Sequence, residues 1–350
     1  MTDLGVAVRE TADRLAATHA GVVVAAVAGG SAEIGGAGRT GGERDGTPDA
    51  GTLFEIGSVT KTFTALALAR LAVAGEAGLD EPLAALLPEG TAVPSRDGGE
   101  ITLRHLATHT SGLPRLPKGM LLPALLRPGK PDPYAGCTAD FLLRGLAATR
   151  LGAAPGRRFR YSNLGAGLLG LALARRAGTD YETLITREIC APLGMADTGI
   201  ATGGDRSARL AQGHTRRGRP AAPWHLADLA GAGGLRSTAA DMVAFLRAQL
   251  DDAPSGGGAG GFAEAVRLSR ETEHRITPFS WIHLGWMGQR LHARQGGHLQ
   301  IWHNGATGGF SSFTGFDPEK GVGVVVLSNT QRPVDRPAFD LLGSLQQAHS

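Results

Sequence analysis

No stretch of this chain is apolar for long enough to cross a bilayer. The longest candidate, Val22 to Ala28, falls far short of the roughly 20 residues a spanning helix needs. The amino terminus, Met1 to Leu15, carries acids and lacks the apolar core of a secretory signal, so it reads as an amphipathic helix. A cytoplasmic location is expected, with soluble substrates and no membrane partner. Cysteine is scarce: Cys137 and Cys190 are the only two, nothing in the sequence gives the Cα separation a disulfide requires, and both are read as free thiols. Charge of one sign is scarce as well, with a formal net charge of +3. The local basic clusters, Arg157, Arg158 and Arg160, then Arg216, Arg217 and Arg219, lack the interleaved aromatics of a nucleic-acid surface, so no nucleic-acid partner is expected. His105 and His109 stand four apart, a spacing that can ligate zinc, but no third ligand accompanies them. Neither a metal nor a cofactor is expected.

What is present is a chain of 350 residues, long enough for about two domains. After the first helix, Gly21 to Ala28 has a buried-strand pattern, with Ala32 to Thr40 as its hairpin partner. Residues 76–234 hold many helix-like runs and almost no alternating ones. Beyond Leu235 come a helix over Ala239 to Leu250, a glycine-rich loop over Pro254 to Gly261, and shorter β-like segments. Phe310 to Phe316 and Val322 to Ser328 flank a turn and read as an antiparallel hairpin, followed by a last helix over about Arg336 to Gln347. The pattern predicts an α+β fold. Residues 1–75 and 235–350 would form one discontinuous α/β domain around a mainly helical insertion, residues 76–234, with the active site in the cleft between them.

The run Ser58-Val59-Thr60-Lys61 places a hydroxyl and an amine one helical turn apart, so one can reach the other. A strand-like Leu53 to Ile56, a turn at Gly57 and an apolar run from Phe63 to Val73 put Ser58 at the start of a buried helix. Serine attacks carbonyls only when a base takes its proton, and lysine serves when burial lowers its pKa. The alternative is a serine N-cap beside a solvated lysine, and a two-position match occurs about once or twice by chance in a chain of this length.

Two further motifs follow in order. Tyr161-Ser162-Asn163 offers a phenol and an amide, and His303-Asn304-Gly305-Ala306 precedes the carboxy-terminal hairpin. The order serine-lysine, tyrosine-x-asparagine, basic residue-x-glycine resembles the serine β-lactamase and penicillin-binding-protein superfamily. Tyrosine in the second motif resembles its class C branch and that branch's esterase and D-aminopeptidase relatives. The stretches His105 to Pro114, Glu188 to Met195 and Gly231 to Met242 add to the likeness, which spans most of the chain. The resemblance implies an antiparallel sheet flanked by helices and an inserted all-helical domain. One departure stands out: the family's β-lactamases usually have Lys-Thr-Gly in the third motif, and this chain has His303-Asn304-Gly305. A neutral histidine lacks the fixed positive charge that suits a β-lactam carboxylate.

The motifs assign roles as expectations. Ser58 is the nucleophile; Lys61 and Tyr161 share the proton transfers, and either can be the base, Tyr161 only if adjacent charge favours its phenolate. Asn163 holds Lys61 or the acyl side of the substrate, unless it merely caps the next helix. His303 lines the opposite wall. By the family pattern the oxyanion hole combines the backbone amides of Ser58 and Ala306, with Gly305 permitting the close approach. The segment Leu113 to Tyr134 is expected either to cover the cleft or to pack as an ordinary helix. The predicted activity is hydrolysis of an ester or amide of a soluble small molecule or peptide through an acyl-serine. An acyltransferase using the same intermediate, or a sensor acylated once, are the alternatives.

Overall fold

A computed structural model describes residues 3–120, 132–250 and 261–349 of the chain. Its centre is an eight-stranded antiparallel sheet. From edge to edge the strands are Ser31–Gly38, Gly21–Ala28, Val322–Ser328, Ser311–Asp317, Leu299–Ala306, Met287–Arg290, Ser280–Ile282 and His274–Thr277. The two-residue period of a strand sends alternate side chains to opposite faces, and here both faces are covered. On one, Val22, Val24 and Ala26 pack with Val8, Leu15 and Leu342 from the helices Leu4–Ala16 and Asp335–Ala348. On the other, Val23 and Val27 join Phe63 and Leu66 of the helix Thr60–Val73 and Phe245 of the helix Ala239–Leu250. The strand Gly21–Ala28 is therefore apolar and buried throughout rather than alternating. Each fully buried valine there contributes about 1.5–3 kcal/mol.

The carboxy-terminal hairpin pairs Ser311–Asp317 with Val322–Ser328, and its last helix is Asp335–Ala348. Between the first two strands and the carboxy-terminal ones lie the helices Leu103–Ala107, Ala139–Ala147, Asn163–Arg176 and Tyr181–Ile185. The Gly and Pro breaks over Gly75 to Pro88 predict a helix-loop-helix region, but the helical element there is the short 3-10 turn Leu83–Leu86. Pro82 and Pro88 leave no room for a longer helix between them. The stretch from Gly199 to His214 forms isolated bridges to Arg236, Leu53 and Thr330. Residues 121–131 of the expected covering segment and 254–260 of the expected glycine-rich loop lie outside the described residues. No helix among the described residues is long and apolar enough to cross a membrane. Cys137 and Cys190 are buried and unpaired.

One ion pair braces the entrance to the serine turn. Phe54–Glu55 pairs with Arg236–Ser237, and the Arg236 guanidinium lies 3.2 Å from the Glu55 carboxylate with both side chains almost fully buried. Arg236 also donates to the carbonyls of Trp224 at 2.8 Å and Ile200 at 2.5 Å, while Glu55 accepts from the Trp224 amide at 2.7 Å. Removing the cation strands a buried carboxylate whose pKa burial already pushes up. Arg236→Met is expected to cost about 3–5 kcal/mol in urea unfolding. Adding Glu55→Gln should return part of that loss; a single-variant cost under about 1 kcal/mol would contradict the brace.

Candidate active site

Ser58 lies in a 3-10 turn, Gly57–Val59, that runs directly into the α-helix Thr60–Val73. The helix thus starts two residues after the expected point, and Lys61 is its second residue. Every residue from Thr60 to Ala69 is buried, which takes Lys61 to the interior with its amine at the helix start. Lys61 Nζ is 2.9 Å from Ser58 Oγ and donates to the Ala232 carbonyl at 2.5 Å. Burial first, then the positive charge of Arg115, holds the Lys61 pKa well below the usual lysine range. Both causes favour the neutral amine, whose lone pair can accept the serine proton.

Tyr161 lies on the far side of that amine, which sits 4.9 Å from its ring centroid. Burial pushes the Tyr161 phenol up to about 12, outweighing hydrogen bonding with Ser58 and the charge of Arg115. Near neutral pH it stays protonated. Ser162, not Asn163, caps the helix Asn163–Arg176: its hydroxyl accepts from the Gly165 amide at 2.9 Å and donates to the Pro114 carbonyl at 2.6 Å. Asn163 is thereby released from capping, and its buried Oδ1 has no partner among the described residues. Its amide group interacts instead with the Tyr134 hydroxyl, an interaction that opposes the rise burial imposes on that phenol.

The third motif occupies the end of the strand Leu299–Ala306, which crosses beside the serine turn. Two glycines set the approach. Gly57 has φ +48, and a Cβ there would lie 2.8 Å from the Ala306 nitrogen. A Cβ on Gly305 would collide with the Ile56 carbonyl and Ser312 Oγ and lie 3.0 Å from the Ser58 nitrogen. The amides of Ser58 and Ala306 therefore flank one narrow contact, which Ser312 ties down by donating to the Ile56 carbonyl at 2.7 Å. His303 is buried, its ring centroid 6.2 Å from that of Tyr161. Its Nδ1 lies 2.6 Å from the Asn304 carbonyl, which can only accept, so Nδ1 carries the hydrogen and Nε2 keeps a lone pair. Burial, the largest cause, pushes His303 down to about 3, and it is neutral across the physiological range.

Several groups at the site carry no motif of their own. His109, weighed in the sequence only as a zinc ligand, has φ +55 and turns its ring to within 4.4 Å of the Tyr161 ring. Its Nδ1 accepts from the Ser162 amide at 3.3 Å, while buried Nε2 has no partner among the described residues. His105, by contrast, closes a capping box with Thr102 at the start of the helix Leu103–Ala107. That helix ends before His109, so the four-residue spacing does not place the two histidines on one helical face. Among the described residues no group of three potential metal ligands occurs. Arg115 reaches over Tyr161, its Cζ 5.4 Å from the ring centroid, and Tyr134 meets Trp224 edge-on at 5.1 Å. Scarcity was the available signal for Tyr134: the chain has three tyrosines, and the third, Tyr181, bonds Thr64 at 2.6 Å behind Lys61.

A serine hydroxyl beside a buried amine whose pKa is held down, with a protonated phenol on one flank and two amides on the other, is suited to acyl transfer. Residues 8–347 match the family model described as Beta-lactamase. Among curated proteins, the chain is similar to the D-alanyl-D-alanine-carboxypeptidase/endopeptidase AmpH of Escherichia coli K12, 31% identical over 296 residues, which are 83% of this chain and 74% of AmpH. It is also similar to a beta-lactamase of the same strain, 29% identical over 325 residues, with 84% and 81% covered. Among solved structures, a D-alanine carboxypeptidase AmpC from Burkholderia cenocepacia superposes with a TM-score of 0.77 at 26% identity, over 96% of this chain and 98% of that one. A beta-lactamase/D-alanine carboxypeptidase from Yersinia pestis gives 0.80 at 24% identity over 99% of each, which shows the shared fold.

Proposed function

The chain belongs to the beta-lactamase family and is a serine hydrolase, and from that premise we propose that it cleaves amide or ester bonds of small peptides or peptide-like molecules through an acyl-Ser58 intermediate. The observation that carries this reading is the buried Lys61 amine 2.9 Å from Ser58 Oγ, with its pKa held down. The relatives named as carboxypeptidases favour a peptide amide over a simple ester.

In the first half-reaction neutral Lys61 takes the Ser58 proton as Oγ bonds to the carbonyl carbon. The Ser58 and Ala306 amides receive the negative oxygen. The bond to the leaving nitrogen or oxygen breaks, and the proton held on Lys61 passes to that atom with Tyr161 as the donor nearest the departing group. Tyr161 acts as a phenol because burial keeps it protonated. Asn163, with its buried amide freed from capping, holds the acyl side. Water then adds to the acyl-enzyme, gives its proton to Lys61, and the acid leaves as Ser58 is reprotonated. Neutral His303 forms a wall beside Tyr161 and supplies no charge.

The test is intact-protein mass and peptide mapping after brief exposure to a p-nitrophenyl ester, a D-alanyl peptide thioester and benzylpenicillin. The expected result is a transient adduct on the peptide bearing Ser58 with the first two probes, decaying to free enzyme without an added amine or alcohol. Product that forms only with such an acceptor would make the enzyme an acyltransferase, and an adduct on another residue would overturn the reading.

A further inference from the structure

We infer that His109 is a positioning residue for the reaction: its backbone and its ring hold the Tyr161 phenol where it can hand a proton to the leaving group. This deepens the acyl-serine reading and rests on it for the role of Tyr161. The residues on both sides of Tyr161 are tied to His109. The Arg160 amide donates to the His109 carbonyl at 2.7 Å, and the Ser162 amide donates to His109 Nδ1 at 3.3 Å. Between those two ties the His109 ring lies against the Tyr161 ring, with centroids 4.4 Å apart and planes tilted by 41°. A single residue thus fixes the backbone on either flank of the phenol and one side of its ring. The surrounding strands of chain are laced together as well: the Gly156 amide donates to the Thr110 carbonyl at 2.8 Å, and the Ser162 hydroxyl to the Pro114 carbonyl at 2.6 Å.

His109 follows Thr108, the C-cap of the helix Leu103–Ala107, and its φ of +55 is left-handed. Glycine is the usual residue at that position, so the backbone alone does not call for a histidine. The ring is 2% exposed, and burial, the largest cause, holds its pKa well below the usual histidine range. It is neutral near pH 7 and moves no proton itself. With Nδ1 accepting from Ser162, the neutral ring carries its hydrogen on Nε2, which is buried without a partner among the described residues. An unpaired buried N–H costs about 1–3 kcal/mol. A left-handed backbone and an unpaired donor are therefore both borne at one residue, and the hold on Tyr161 is what they accompany.

Two esters that differ in their need for a proton separate positioning from packing: p-nitrophenyl acetate and p-methoxyphenyl acetate. Both leave the same acetyl-Ser58, so their difference in kcat/KM reports acylation. When the C–O bond breaks, the nitrophenol oxygen keeps the electron pair and departs as an anion, whereas the methoxyphenol oxygen departs more readily with the Tyr161 proton. His109→Ala should therefore lose about 10-fold more on the methoxyphenyl ester than on the nitrophenyl ester, at equal folded concentration. His109→Asn accepts a left-handed backbone and still offers Ser162 an acceptor while removing the ring, so it carries the test if alanine does not fold, and its loss should be selective in the same direction. Because His109 acts through Tyr161, adding His109→Ala to Tyr161→Phe should change the ratio of the two esters by less than about twofold. Equal losses on both esters in a folded His109 variant would reduce the residue to packing, and a ratio that still shifts in the Tyr161→Phe background would mean that it does not act through the phenol; either result overturns the proposal. Tyr161→Phe alone distinguishes this from a failure of the underlying reading: if it shows no selective loss, the donor role of Tyr161 falls and this inference with it, and if it does while the His109 variants do not, only the role of His109 falls.

Discussion

Alanine in place of Ser58 is expected to lower turnover of an activated ester by about ten-thousand-fold or more while leaving the fold intact. Ser58 is half-buried in a three-residue turn, so loss of one oxygen opens no sizeable cavity. Lys61 keeps its bond to the Ala232 carbonyl, and the strand contact through Gly57 and Gly305 is made by backbone. What disappears is the atom that becomes covalently bonded. Residual rate can come only from the two amides and from binding, which in other serine hydrolases sustain about 10^3–10^4-fold over water when the nucleophile is gone. The comparison is initial rate for wild type and variant at equal folded concentration, with unfolding midpoints alongside. A variant within tenfold of wild type would remove Ser58 from the mechanism, whatever its neighbours do.

The sequence was most legible where chemistry and geometry are local. A serine and a lysine three apart on a helix must face one another, and the buried run after them makes that helix internal. The strand Gly21–Ala28, the hairpin Ser311–Asp317 with Val322–Ser328, and the helix Ala239–Leu250 follow from period and turn residues alone. Legibility declined where backbone makes the contact. Nothing in the side-chain pattern announces that the Ala232 carbonyl accepts from Lys61, or that the Arg115 carbonyl accepts from the start of the Asn163–Arg176 helix. Arg115 and Trp224 reach the site through such long-range backbone ties, and no spacing within their own segments marks them.

The second motif shows a subtler limit. From sequence, capping and substrate contact compete for Asn163; in the fold Ser162 takes the cap, because its extended backbone aims the hydroxyl at Gly165. The proton roles of Tyr161 and Lys61 were open for a related reason. Adjacent charge would favour phenolate, burial opposes it, and only the enclosure around both groups shows that burial is the larger effect.

The proposed mechanism takes Lys61 as the base, and the consequence is a large effect with a defined pH signature. Lys61→Met keeps the length and apolar character of the stem, removes the amine, and is expected to lower kcat/KM by about 10^2–10^4-fold. The base works only when deprotonated, so in wild type the rate rises with pH through the Lys61 pKa and levels above it. Because burial and Arg115 hold that pKa well below the usual lysine range, the limb falls at lower pH than an ordinary lysine near 10.4 would give. Tyr161 must remain protonated, which it does up to about 12, so no descending limb intrudes below that. His303, at about 3, stays neutral and contributes no limb near pH 6.5. Tyr161→Phe should therefore be slow yet retain the rising limb, whereas Lys61→Met should lose it. Their combination should cost less than the product of the two single losses, since both serve one proton path. A limb that survives Lys61→Met and vanishes in Tyr161→Phe would exchange the two roles and make the phenolate the base.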